Sequence, residues 1–217
     1  MDAEQQRKIQ ENLAYNRDRW GQRENWERLD GFGYNWSNMH ERPGYTSVSK
    51  MATDFLIPWS NGRYDLNILE VAPGAGRFTA ELLRIAKSLS IVDMNAACIE
   101  LCRERFRYYS NVDYFVNDGM SVAMVPDSSF DLVASWDSFV HIEPEIIRSY
   151  LIGFATKLRE GGTVWLHHSA TGERKEGHRT AMTDLRMREF AKELNYQVLA
   201  QYYLAQGGDC ISVLRKG

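Results

Sequence analysis

From residue 67 onward the chain repeats one pattern, in which a short apolar run gives way to a stretch with a 3.6-residue apolar period. The runs are Asn67-Ile-Leu-Glu-Val-Ala, Ser88-Leu-Ser-Ile-Val-Asp, Val112-Asp-Tyr-Phe-Val, Phe130-Asp-Leu-Val-Ala-Ser-Trp and Thr163-Val-Trp-Leu-His-His. The periodic stretches are 77–88, 95–107, 144–158 and 182–194. Strands that alternate with helices pair in parallel and are covered on both faces. Pro144 suits the first turn of its helix, and Gly161-Gly162 closes that unit before the fifth strand. Two last strands, 196–204 and 210–215, flank Gln206-Gly207-Gly208-Asp209, which reads as a hairpin turn and makes the last strand antiparallel. The pattern predicts an α/β fold: a seven-stranded, mostly parallel sheet with helices on both faces. Residues 61–217 are enough to build it.

Residues 1–60 are of a different kind. Residues 3 to about 30 are polar and helix-prone, with a thin apolar stripe of Ile9, Leu13, Trp20 and Trp26. A helix with so narrow an apolar face packs on something else. Residues 31–46 are rich in Gly, Asn and aromatics, and a helical period returns over 46–60. Four of the six tryptophans (Trp20, Trp26, Trp36, Trp59) lie here, with Tyr15, Phe32, Tyr34, Tyr45 and Phe55. The segment reads as a helical, aromatic extension or lid, too short to be a domain of its own. The same Trp-rich surface suits a homodimer contact.

Composition narrows the partners. The net charge is −3, whereas chains that live on phosphates carry a basic excess, so nucleic acid is not expected. No apolar run approaches the ~18 residues of a membrane span, and Met1-Asp-Ala-Glu-Gln-Gln-Arg-Lys is no secretory leader. Cys98, Cys102 and Cys210 are an odd number with no zinc-finger spacing. A cytoplasmic protein with no membrane contact is expected.

Ligands in an open α/β sheet bind beyond the carboxyl ends of the strands. The first strand ends Glu70-Val-Ala-Pro-Gly74-Ala-Gly76, where two glycines allow a tight turn and a close backbone approach. A dinucleotide fingerprint requires Gly or Ala at 79, and Thr79 stands there, which discounts a nicotinamide-dependent reductase. The second strand ends in Asp93, 19 residues after Gly74, a spacing that suits a ribose diol. The third ends Asn117-Asp118-Gly119, a carboxylate that can accept from an adenine amino group.

Together, Glu70-x-Ala-x-Gly-x-Gly, Asp93 and Asp118-Gly119 resemble the class I S-adenosylmethionine-dependent methyltransferases, which have a Rossmann-like fold. Phe130-Asp-Leu-Val and Leu158-Arg-Glu-Gly-Gly-Thr-Val extend the resemblance, which covers roughly residues 45–217. It implies that Gly74 and Gly76 carry the methionine part of S-adenosylmethionine, with Glu70 and Ala72 also among the cofactor-binding residues. It implies further that Asp93 holds the ribose and that Asp118 and Gly119 meet the adenine. Met94 and Ser135 complete the expected cofactor set. One departure is Ala72, where the family often has Gly.

Residues after the fourth strand set the acceptor chemistry. The (Asn/Asp)-Pro-Pro-(Tyr/Phe) motif of amine methylation is missing; Trp136-Asp137-Ser-Phe-Val-His141 stands instead. An imidazole titrating near neutrality suits removal of a hydroxyl proton. The expected catalytic residues are His141, Asp137 and His168; His167-His168 ends the fifth strand, where alternation lets only one face the site. Asp137, one of these histidines and Asp209 are also candidates for a divalent cation such as Mg. Arg174, Lys175, His178 and Arg179 could grip a polar acceptor. The resulting expectation is an O-methyltransferase acting on a hydroxyl of a sugar, glycan precursor or similar small molecule. Alternatives are another small acceptor (phenol, carboxylate or amine) or a non-catalytic cofactor-binding module.

Overall fold

The structure is a computed structural model that describes residues 2–27, 48–172, 180–204 and 208–217. The expected roles of Phe32, Tyr34, Trp36, Tyr45, Arg174, Lys175, His178 and Arg179 fall outside these residues, as does the Gln206-Gly207 part of the hairpin turn.

The described N-terminal part is helical. Helix α1 (Ala3–Trp20) starts with a capping box, Asp2 bonding the Gln5 amide and Gln5 reaching back. It ends at Gly21, so the single helix expected to about residue 30 is broken, and α2 (Arg23–Glu27) follows. Next, α3 (Val48–Met51) runs into a π-turn (Ala52–Leu56) and a 3-10 turn (Ile57–Ser60). Pro58 removes an amide donor at the start of that last turn.

Strands β1 (Leu66–Val71), β2 (Ala86–Asp93), β3 (Val112–Val116), β4 (Phe130–Phe139), β5 (Leu158–Ser169), β6 (Tyr196–Leu204) and β7 (Asp209–Lys216) form one sheet. Its order is β3-β2-β1-β4-β5-β7-β6. All pairs are parallel except β5–β7 and β6–β7. The last strand is therefore antiparallel, as its hairpin required, and it inserts between β5 and β6. Helices α4 (Thr79–Leu82), α5 (Ala96–Arg105), α6 (Pro144–Lys157) and α7 (Asp184–Glu193) flank the sheet.

Alternation along the strands divides the core in two. Leu69, Val71, Val133, Val164 and Leu166 face α6, α7 and the Ile9–Leu13 stripe of α1. Ile68, Leu132, Trp136 and Trp165 face α3, α4 and α5. Two sequence expectations shift. The helix expected over 77–88 keeps one turn, because the sheet claims the chain early: Leu66 N–H donates to Ile85 O, and β2 begins at Ala86. Gly161-Gly162 does not precede β5 but lies inside it. The ladder passes from Phe130–Leu158 to Leu132–Thr163, so β5 bulges there, and Gly161 takes a φ of 71°. No helix among the described residues is long and apolar enough to cross a membrane.

Candidate active site at the strand carboxyl ends

Strand order reverses between β1 and β4. The ends of two adjacent parallel strands are followed there by connections that leave in opposite directions, which opens a crevice. The Gly-rich turn enters it from β1, Asp93 from β2, Asp118 from β3 and residues 136–143 from β4.

Glu70 is buried at the end of β1 and accepts from Thr79 Oγ1 at 2.6 Å. Burial pushes its carboxyl up to about 8, against the pull of the Thr79 bond. Thr79, the residue that breaks the dinucleotide fingerprint, is thus the partner of the first-strand acid. Ala72 has a φ of 56°, the left-handed region where glycine is at ease, which gives a physical reason for Gly at this place in the family. Ala72 N–H donates to Val92 O at 2.8 Å and Ala72 O accepts from Ser138 Oγ at 2.7 Å, so the turn is tied to β2 and β4. Gly74 and Gly76 have φ of 58° and 79°. A methyl group on Gly74 would meet the Trp26 ring at 2.5 Å, and one on Gly76 would meet Phe106 at 2.5 Å. The turn is further held by Arg105, which donates to Ala75 O, and by the Cys102 thiol, which donates to Gly74 O.

Asp93 is buried at the tip of β2. Oδ1 accepts from Asn95 N–H at 2.8 Å and Oδ2 makes a long contact of 3.4 Å to Gly74 N–H, with the Met94 backbone also bonding the carboxylate. Burial raises its pKa to about 6 despite these bonds. A buried carboxylate with two acceptor oxygens suits paired hydroxyl donors. Asp118 is exposed; its Oδ1 accepts from both Met120 and Ser121 N–H at 2.8 Å, and a carboxylate has a second oxygen that can accept from an amino donor. Gly119 has a φ of 87° and is flanked by Leu13 and Met94, an apolar cradle for a flat ring.

The expectation for Ser135 is corrected. Its side chain is fully enclosed in the sheet, so Ser138, three residues on, meets the Gly-rich turn instead.

The histidines separate as alternation demands. His168 is fully buried, with Nδ1 2.6 Å from Ser169 O and Nε2 2.7 Å from Ser212 Oγ. Desolvation lowers its pKa to about 4. Both nitrogens are committed inside the sheet, so the expected catalytic role of His168 is corrected to a core one. His167 lies on the other face and stacks on Trp136 at 4.2 Å. Asp137, expected beside the acceptor, makes a 2.7 Å ion pair with Arg77 across the mouth of the crevice. The candidate metal trio does not converge: His167 Nε2 is 3.5 Å from Asp209 Oδ2, but only the backbone of Asp137 reaches His167. No group of three His, Cys, Asp or Glu suited to an ion occurs among the described residues.

His141 follows β4. Its carbonyl accepts from Asn12 Nδ2 at 2.9 Å and Asn16 Nδ2 at 3.1 Å, and its ring lies 5.3 Å from the Trp20 ring. Helix α1 is thereby fixed over the crevice. Asn95 Nδ2 and the Cys98 thiol reach back to Asn16 O and Trp20 O.

Residues 68–162 match the family model described as a methyltransferase domain. The match spans 95 of the 217 residues, and over them the chain is similar to a methyltransferase domain. The fold of the chain is shared with N-methyltransferase NodS from Bradyrhizobium japonicum, solved with S-adenosyl-L-homocysteine. The two are 17% identical over 94% of this chain and 98% of NodS, with a TM-score of 0.67. It is shared also with magnesium protoporphyrin IX methyltransferase from Synechocystis, solved with bound cofactor: 14% identity, 95% and 97% coverage, TM-score 0.71. At these identities the likeness is one of fold. Within the crevice, no role was assigned from sequence to Asn95, Thr79, Arg77, Ser138 or Arg105. Only Thr79 carried a signal, as a departure from a motif.

Proposed function

We propose that the chain is a methyltransferase acting on a hydroxyl group of a small polyhydroxylated acceptor, a sugar or glycan precursor. S-Adenosylmethionine supplies the methyl group as a strong electrophile, so the protein mainly aligns the acceptor and takes its proton. Glu70, Gly74, Gly76, Asp93, Met94, Asp118 and Gly119 are the residues assigned to holding the cofactor. Trp20 and Trp26, in the described part of the N-terminal segment, form the lid that excludes water from it. The observation that carries the acceptor assignment is His141 beside Trp20 at the end of β4. The imidazole can take a hydroxyl proton, and the indole offers the apolar surface on which sugar C–H faces stack. The three free buried thiols suit a reducing compartment such as the cytoplasm.

A labelled-methyl assay across glycosides, phenols and small amines, with and without EDTA, tests this. Label should enter glycosides. His141→Ala should lower kcat about 100-fold with cofactor affinity unchanged. Label confined to phenols or amines, or full activity of the variant, would overturn the reading. Loss of turnover on EDTA would restore a cation to the mechanism.

A further inference from the structure

Strand β4 leaves its ladder just before it ends. Ser135 pairs with Leu166, and the next pair is Phe139 with His168. Residues 136–138 therefore stand opposite a single residue of β5, His167. Asp137, in the middle of this bulge, has a φ of 55°, a backbone conformation that costs a non-glycine residue roughly 1 kcal/mol or more. Such strain persists where surrounding structure enforces it.

His167 is what enforces it. Its Nδ1 accepts the Asp137 N–H at 3.1 Å, and its ring stacks on Trp136 at 4.2 Å and 20°. A ring nitrogen that accepts an N–H carries no proton, so the neutral ring bears its proton on Nε2. Nε2 is buried without a hydrogen bond, and the carboxylate nearest to it is Asp209, whose Oδ2 lies 3.5 Å away, ring and carboxylate being 1% and 3% exposed. A carboxylate behind one nitrogen selects the tautomer at the other. On its outer side the bulge reaches the cofactor turn twice. Asp137 pairs with Arg77, and Ser138 Oγ donates to Ala72 O.

We propose that His167 is a positioning residue for methyl transfer. With Nδ1 as the acceptor for Asp137 N–H and the ring stacked on Trp136, it fixes the Asp137 bulge and so the Arg77–Asp137 pair at the mouth of the crevice. Its ring nitrogens face the bulge and Asp209, so it acts through Asp137 and Arg77 rather than on the reacting atoms. The proposal rests on the chain being a methyltransferase and not on the acceptor being a sugar.

Two variants separate the contacts. In His167→Asn the amide oxygen stands near the place of Nδ1 and keeps an acceptor for Asp137. In His167→Gln a polar group remains near Asp209 and the acceptor is lost. With the acceptor that turns over fastest in the labelled-methyl assay, His167→Gln should lower kcat at least tenfold, and His167→Asn should recover most of it. S-Adenosylhomocysteine affinity by calorimetry should stay within about twofold for both. Hydrogen exchange of a peptide spanning 134–140 should be faster in the Gln variant than in the Asn variant. It needs no acceptor, so it decides the matter even if the acceptor assignment fails. Long-range 15N-histidine spectra of the unaltered protein at pH 8 should show a bare Nδ1 and a protonated Nε2. The opposite tautomer, or Gln and Asn variants alike in both exchange and rate, overturns the proposal.

Discussion

Ala72 is where one residue's chemistry and one backbone angle disagree. Its φ of 56° belongs to a region that costs an L-residue roughly 1–2 kcal/mol. Its amide and carbonyl are both bonded, to Val92 and Ser138, so the chain cannot relax without breaking the tie between the cofactor turn and β4. Ala72→Gly should remove the strain and leave the bonds. We expect the variant to be about 1 kcal/mol more stable, a rise of about 2–4 °C in Tm for a chain of this size. Calorimetry with and without S-adenosylhomocysteine checks this, and a lower Tm would show that the methyl's packing outweighs the angle. The sequence carried half of this result. The departure from the family's Gly was visible at Ala72; that the backbone there is left-handed was not, because a single side chain does not report its own φ.

At the level of elements, α1 behaves as part of the site. Its apolar stripe is thin, yet Ile9 and Leu13 are buried against the face that also holds α6, and Asn12 and Asn16 bind the backbone that follows β4. Trp26 lies on Gly74 and Leu13 on Gly119. On the proposed reading, a cofactor spanning both glycines would lie against this segment. Trp26→Ala should weaken S-adenosylhomocysteine binding about tenfold by calorimetry while leaving the sheet's slow-exchanging amides protected. Unchanged affinity would remove the lid role, and tighter binding would mean that the indole competes with the cofactor for the crevice. The extension's helical start was readable from its polar, helix-prone composition and its apolar stripe. Its destination was not, since the decisive contacts are amide bonds from Asn12 and Asn16 to residues over a hundred positions away. Periodicity likewise placed the strands well and the α4 boundary badly. Leu82 and Leu83 fit a helical stripe, but pairing of Leu66 with Ala86 ends the helix in favour of the sheet.

Across the whole molecule, the sheet buries ionisable groups on opposite faces, and they respond to pH in opposite senses. His168 is lowered to about 4 by burial, against an ordinary value of about 6.5. The unfolded chain binds that proton more readily, so the contribution of His168 is complete above about pH 6.5 and is lost as pH falls through about 4. Glu70 is raised to about 8, against about 4.3 when unfolded. The native state holds the extra proton, so its contribution is complete below that unfolded value and is lost as pH rises through about 8. Asp93, raised to about 6, acts in the same sense lower down. Between pH 4 and 6.5 these effects partly offset one another. Between about pH 6.5 and pH 8, of the three, Glu70 alone is still titrating. The cofactor-free protein should therefore lose up to about 2 kcal/mol across that interval, at about 1.4 kcal/mol per unit of pH. Glu70→Gln keeps an acceptor for Thr79 and has no proton to lose, so its stability should be level over the same range. Urea unfolding at three pH values for both proteins measures the difference. Parallel curves would show that Glu70 ionises normally in the folded chain, and the buried acid beside the cofactor turn would then be a charge rather than a neutral hydrogen-bonding group.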